Sequence, residues 1–145
     1  MALDESRVIN GSFGEVWHDG KWLSNITTAE AVVDFNKEEV LRAGTRWTGH
    51  KLTSITGSGS VTGYKVSTEW IERQLAVLTD RGKPFVTSLT FKLDDPESWG
   101  AMRVQLTGVM FDKIDIANFE VGSLVEEELP FTFTGMKLLD KITPK

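Results

Sequence analysis

From Phe85 to Leu93 the chain alternates, with Phe85, Leu89, Phe91 and Leu93 on one side and Ser88, Thr90 and Lys92 on the other. Period two is the repeat of a strand with one buried face. The same repeat places Ala29, Ala31, Val33 and Phe35 opposite Glu30, Val32, Asp34 and Asn36, and Met102, Val104 and Leu106 opposite Arg103, Gln105 and Thr107. Further strands are predicted near Ile114 to Val121 and near Glu128 to Thr134. Pro130 lies in the latter and has no N–H to donate, which predicts an edge or strand-start position. Asp19-Gly20 between Gly14–Trp17 and Trp22–Asn25 predicts a hairpin, because Asp-Gly tolerates the positive φ of a type I′ turn. Asp94-Asp95-Pro96-Glu97-Ser98 reads as a turn.

One segment has a different period. Between Thr68 and Asp80, Ile71, Leu75 and Leu78 recur at helical spacing, and Trp70 and Val77 widen the stripe. Ser67 or Thr68 can cap this helix, Glu69 and Glu72 suit its positive end, and Arg81-Gly82 closes it. Glu69 and Arg73 form an i,i+4 pair in the better orientation. Many strands with one covering helix predict a mainly β fold, a β-sandwich or partly open barrel with one flanking α-helix at about Thr68 to Asp80. At 145 residues the chain is expected to be a single domain, 1–145.

The stretch from Gly44 to Tyr64 fits this core least well. It alternates Ser and Thr with Gly, Ile and Val, and has few large apolar residues of its own. Ser54, Thr56, Ser58, Ser60 and Thr62 all carry hydroxyls at even positions, so a strand here has one evenly polar, uncharged face, with Ile55 and Val61 on the opposite, packed side. A long protruding β-hairpin or loop is expected, ordered by another chain along an open edge. Trp47 sits among Thr, Gly, His and Lys where internal burial is hardest, which makes it a candidate intersubunit anchor.

Charge and composition narrow the function. The net charge of −5 argues against a grip on nucleic acid, which needs clustered Lys and Arg, but suits a surface that DNA passes without sticking. With no cysteine, neither a disulfide framework nor a cysteine metal site is possible. The first residues, Met-Ala-Leu-Asp-Glu-Ser, lack the basic and apolar regions of a secretion signal, so a cytoplasmic origin is expected.

Enzyme motifs fail on their chemistry. Gly44 and Gly49 have phosphate-loop spacing, but His50 stands where the Lys belongs and Leu52 follows Lys51 where Ser or Thr is needed. Gly57, Gly59 and Gly63 miss the dinucleotide pattern by one residue. His18 and His50 have neither Cys nor the spacing for a metal site. The acidic clusters Glu38-Glu39, Asp94-Asp95 and Glu126-Glu127-Glu128 are adjacent in sequence, so on strands they point to opposite faces and do not converge as a catalytic pair. No enzyme activity, cofactor or metal is expected. Glu126, Glu127 and Glu128 are read as an interface strip, able to meet Arg42, Arg46 or Lys51 of an adjoining copy.

Thr48-Gly49-His50-Lys51, the run Gly57-Ser58-Gly59-Ser60-Val61-Thr62-Gly63-Tyr64-Lys65-Val66, and Glu126-Glu127-Glu128-Leu129-Pro130-Phe131-Thr132-Phe133 closely resemble the tail-tube proteins of contractile phages and phage-like particles of the PBSX (XkdM-like) type. The resemblance covers nearly the whole chain. It implies a structural protein forming six-membered rings stacked into a hollow tube inside a contractile sheath. The implied partners are sheath, tape-measure, baseplate and tail-terminator proteins, and the implied place is a virion tail or phage-tail-like particle. On this reading Arg46, Trp47, Thr48, Gly49, His50, Lys51 and Glu126 to Glu128 belong to subunit interfaces, and the five hydroxyls face the bore. The alternative is a monomeric β-sandwich binding sugar or peptide, resting on five Trp, with Trp17, Trp22 and Trp99 near turns.

Overall fold

The computed structural model describes residues 3–144. Two short 3-10 turns, Glu5–Arg7 and Gly11–Phe13, precede β1 (Gly14–His18) and β2 (Lys21–Trp22). Asp19 and Gly20 between them take φ of 51° and 75°, the type I′ geometry that Asp-Gly predicts. Then follow β3 (Ile26–Val40), β4 (Gly49–Tyr64), a helix α1 (Glu69–Arg73), β5 (Thr87–Leu93), β6 (Met102–Phe111), β7 (Glu126–Phe133) and β8 (Gly135–Asp140). Every pairing is antiparallel, in the order β2-β1-β5-β6-β7-β4-β3, with β8 also on β6.

The sheet turns a corner at β6. A register shift between β5 and β6 falls beside Gly108, whose φ is +66°. Before it β6 pairs with β8; after it Met110 and Phe111 pair with β7. The two walls close on one core: Val16, Leu89 and Leu106 from one, Val61, Leu129, Phe131 and Phe133 from the other. Closure is incomplete, because β1 and β3 are not hydrogen-bonded partners. The result is the predicted mainly β, partly open barrel.

The packing also explains the glycines of β4. Gly57 and Gly59 pair with Phe133 and Phe131, and a Cβ on either would run into those rings. The rings lie over the bare backbone, so even positions of β4 remain for hydroxyls on the other side.

Four expectations are corrected. The helix predicted over Thr68 to Asp80 is only α1, followed by a 3-10 turn at Leu75–Leu78. Buried Trp70 anchors it against His18 and Phe111, both 5.0 Å away between ring centroids, while Leu75 and Leu78 are exposed. Phe85 precedes β5 but still stacks on Phe111 at 6.3 Å. Ile114 to Val121 is no strand. Lys65 Nζ donates to the carbonyls of Asp115 and Ile116, and Asn118 Nδ2 to that of Glu126, so side chains hold this segment in place of a ladder. The hydroxyl-rich and Pro130 strands are interior rather than edges: β4 lies between β3 and β7, and the free edge at this end of the sheet belongs to β3. Pro130 O accepts from Asp112 N, so its nitrogen faces β6 as well, and the reciprocal bond to Asp112 O that it cannot make falls where β6 pairing ends at Phe111.

Candidate assembly surfaces

The strands β3 and β4 pair over almost their full length, from Ile26↔Gly63 to Val40↔Gly49, and project as an arm well beyond the core. Their tip, residues 41–48, holds Arg46, Trp47 and Thr48. Trp47 is 81% exposed, and Arg42 Nη2 donates to its carbonyl at 3.3 Å. Gly49, His50 and Lys51 follow on β4, opposite Val40, Glu39 and Glu38. Four of the exposed large apolar residues of the arm also project from one face: Val33, Phe35, Leu52 and Ile55. Sequence reading placed Ile55 on a packed side. It does share a face with buried Val61, but the barrel ends before reaching it.

The hydroxyls Ser54, Thr56, Ser58, Ser60 and Thr62 do share one face, since β4 is in regular register across them. A bulge beside Thr53, whose hydroxyl donates to Asn36 O at 3.0 Å, ends that phase. Asn36 Nδ2 donates to both Ser54 Oγ and Thr56 Oγ1 at 3.0 Å. Sequence reading missed the flanking residues. Opposite them on β3 stand Thr28, Glu30, Val32, Asp34 and Asn36, and on β7 Glu128, Pro130 and Thr132, so the complete face carries acids and no Lys or Arg over this span. The alternation of β3 already held Glu30 and Asp34 together; the pairing partner was the missing information.

Glu126, Glu127 and Glu128 do not act as one strip. Alternation leaves Glu126 and Glu128 exposed and turns Glu127 inward, 5% exposed opposite Gly63. Burial raises its pKa, and Asp115 adds to this while Lys65 opposes it. The acids also sit at the far end of β4 from Arg46 and Lys51, roughly 40 Å from Lys51 at about 3.3 Å per residue. Any pairing between the two groups joins different copies.

His18 is buried and shares a hydrogen bond with Thr87 Oγ1 at 2.8 Å. Burial lowers its pKa; neighbouring Asp19 and Glu69 act against this and Arg73 with it. Around it Arg73 bridges Asp19 and Glu69, the latter at 2.6 Å as the i,i+4 pair predicts, and ties α1 to the β1–β2 turn. His50, at the arm, is exposed. Among the described residues no group of three or more His, Cys, Asp or Glu could hold a metal.

These two buried groups give opposite pH slopes. His18 binds its proton less tightly in the fold than in the unfolded chain, whose imidazole titrates at about pH 6.5, so its contribution is lost as pH falls through that value. Glu127 binds its proton more tightly folded than unfolded, so its contribution is present at low pH and lost as pH rises through its folded pKa. Urea midpoints measured between about pH 5 and pH 7.5 should therefore fall less steeply on acidification in His18→Gln. In Glu127→Gln they should fall less as pH rises.

Trp17 and Trp22 stack on each other across the first hairpin at 6.4 Å, and Trp17 Nε1 donates to Glu15. A family model described as phage tail tube protein matches residues 1–140. The chain belongs to the phage tail tube family. This tail tube protein is 39% identical, over 99% of its length and 98% of that protein's, to the phage-like element PBSX protein XkdM of Bacillus subtilis (strain 168). Its fold matches a chain in the sheath-tube complex, in the extended state, of an extracellular contractile injection system, PVC. The TM-score there is 0.70 at 10% identity, covering 91% of this chain and 93% of that one. It also matches a chain in the tail of an empty gene transfer agent particle with C6 symmetry, with a TM-score of 0.63 at 18% identity over 92% of this chain and 100% of the other. The protein is thus a structural subunit of a tail tube, the reading that the sequence resemblance implied.

Proposed function

We infer that copies of this tail tube protein close head to tail into six-membered rings, and that the rings stack as the inner tube of a contractile tail or phage-tail-like particle. The observation that carries this is the arm: a 15-residue strand with one open edge and a 16-residue partner, whose exposed apolar face and Trp47 find no partner in the protomer. A heterologous contact that closes by rotation covers such surfaces without exposing new ones. Six is favoured by the sixfold symmetry of the gene transfer agent tail. A sheath is the outer partner on the same footing, with tape-measure, baseplate and terminator proteins at the inside and the ends. Assembly starts from the cytoplasm, and the whole chain acts as one domain.

In this tube Ser54, Thr56, Ser58, Ser60 and Thr62 face the bore, beside Glu30, Asp34 and Glu128. Small hydroxyls keep the wall wet and smooth, and the acids repel a passing polyanion, as a conduit for DNA or an effector requires. Arg46 to Lys51 reach the neighbouring subunit or ring, with Glu126 and Glu128 as exposed acids for basic groups of another copy.

The chain has no cysteine, so one can be placed at Thr56 or Ser60 without background. Negative-stain images and sedimentation at rising concentration should show rings or tubes; a persistent monomer overturns the ring. In assembled tubes the new thiol should react with a small reagent and resist one too bulky to enter the bore. Equal labelling by both places this face outside and leaves the ring standing.

A further inference from the structure

The exposed apolar residues of the arm leave two other surfaces unaccounted for. One is a turn after β6. Phe119, Val121 and Leu124 are 83%, 95% and 77% exposed there, each barer than any of the apolar side chains grouped at Leu75 to Leu78 or at Met136 to Leu139. This turn is held in shape: Ser123 N donates to Glu120 O at 3.1 Å, Gly122 takes φ +89°, and Lys65 and Asn118 pin its base. A short loop that hydrogen-bonds itself into a fixed bend while presenting three large apolar groups to water is built as a plug.

The other is a groove of about 910 Å³ between the open edge of β3 and the wall of β1, β5, β6 and β8. Val33, Val104, Leu106, Phe133 and Met136 line it, and its charged residues are Glu15 and Lys92. Glu15 is engaged by Trp17 Nε1, whereas Lys92 has only Asp94, at 3.8 Å. No residue of the turn lines the groove, so one protomer leaves it open. The two are complementary in kind: an apolar plug bearing one acid, Glu120, and an apolar socket bearing one loosely held base.

We propose that the Phe119–Leu124 turn of one copy inserts into the groove of the next, with Glu120 meeting Lys92, as the contact that joins neighbours within a ring. This rests on the ring reading above. It differs in kind from the arm contact, since it buries a plug rather than a ribbon and leaves the arm free to reach another ring.

The test uses the full chain. Phe119→Ser with Val121→Ser changes only exposed side chains, so the urea midpoint should match that of the parent while rings are lost at least tenfold in sedimentation. A chain carrying both Ala31→Cys, in the groove wall, and Val121→Cys should, once assembled under reducing conditions and then oxidised, give a ladder of covalent oligomers, because a disulfide needs Cα atoms within about 7 Å. Each single cysteine variant should give no ladder. Rings in the serine variant at parental yield overturn the proposal alone, and so does a covalent dimer from Val121→Cys by itself, which would set the turn against its own copy. If the cysteines prevent assembly, the serine variant decides. Absence of rings in the parent protein overturns the ring reading instead.

Discussion

Replacing residues 35–55 with Asn-Gly should leave a folded, cooperatively melting protein that no longer forms tubes. Asp34 and Thr56 are direct register partners on β3 and β4, so a two-residue turn can join them at the point where the arm leaves the barrel. The removed residues are almost all exposed, and exposed positions contribute within about 0.5 kcal/mol each way. Circular dichroism melts and electron microscopy of the same preparation check both halves. Tubes of normal diameter would make the arm dispensable; a protein that fails to fold would make it part of the core. The cut must stop at Ile55. Extending it to Ser60 removes Gly57 and Gly59, whose bare backbone receives the rings of Phe133 and Phe131.

That boundary shows where sequence reading stops. The even hydroxyls were legible because period two needs no partner to define a face. That the same strand divides at about Gly57 into an arm and a barrel wall was not legible, because the division is made by Phe131 and Phe133, more than 70 positions later in the chain. The Asp19-Gly20 hairpin was legible, since a type I′ turn is a local event. Ile114 to Val121 failed for the opposite reason. It has the composition of a strand, but Lys65 and Asn118 capture its carbonyls and that of Glu126, and composition does not reveal a cation arriving from 50 residues away. The Thr68 to Asp80 helix ends early because only its first turn is packed: Trp70 sits between His18 and Phe111, whereas Leu75 and Leu78 stay exposed, and a short helix without tertiary packing is marginal. Glu126 to Glu128 looked uniform in sequence only because facing requires knowing that the strand is covered on one side.

Gly59→Ala should be strongly destabilising, and it should resist rescue. An added Cβ there meets the ring of Phe131 at 2.8 Å and overlaps the carbonyl oxygen of Glu30 on the neighbouring strand. Moving that carbonyl means parting β3 from β4 beside the core, so the cost belongs at the upper end of the roughly 1–3 kcal/mol typical of overpacking. For a chain of this size that lowers the melting temperature by about 5–10 °C. Gly57→Ala is the control. Its Cβ comes nearest to the ring of Phe133, at 2.5–2.8 Å, and a side chain can give way where backbone cannot. Phe133→Leu should therefore recover part of the loss in Gly57→Ala, whereas Phe131→Leu added to Gly59→Ala should deepen it, by emptying a site that is 1% exposed without freeing the Glu30 carbonyl. Thermal melts of the four variants, taken at a concentration where the protein is monomeric, separate the two cases. Equal rescue at both positions would mean that ring overlap alone sets the glycine requirement and that β3 can yield.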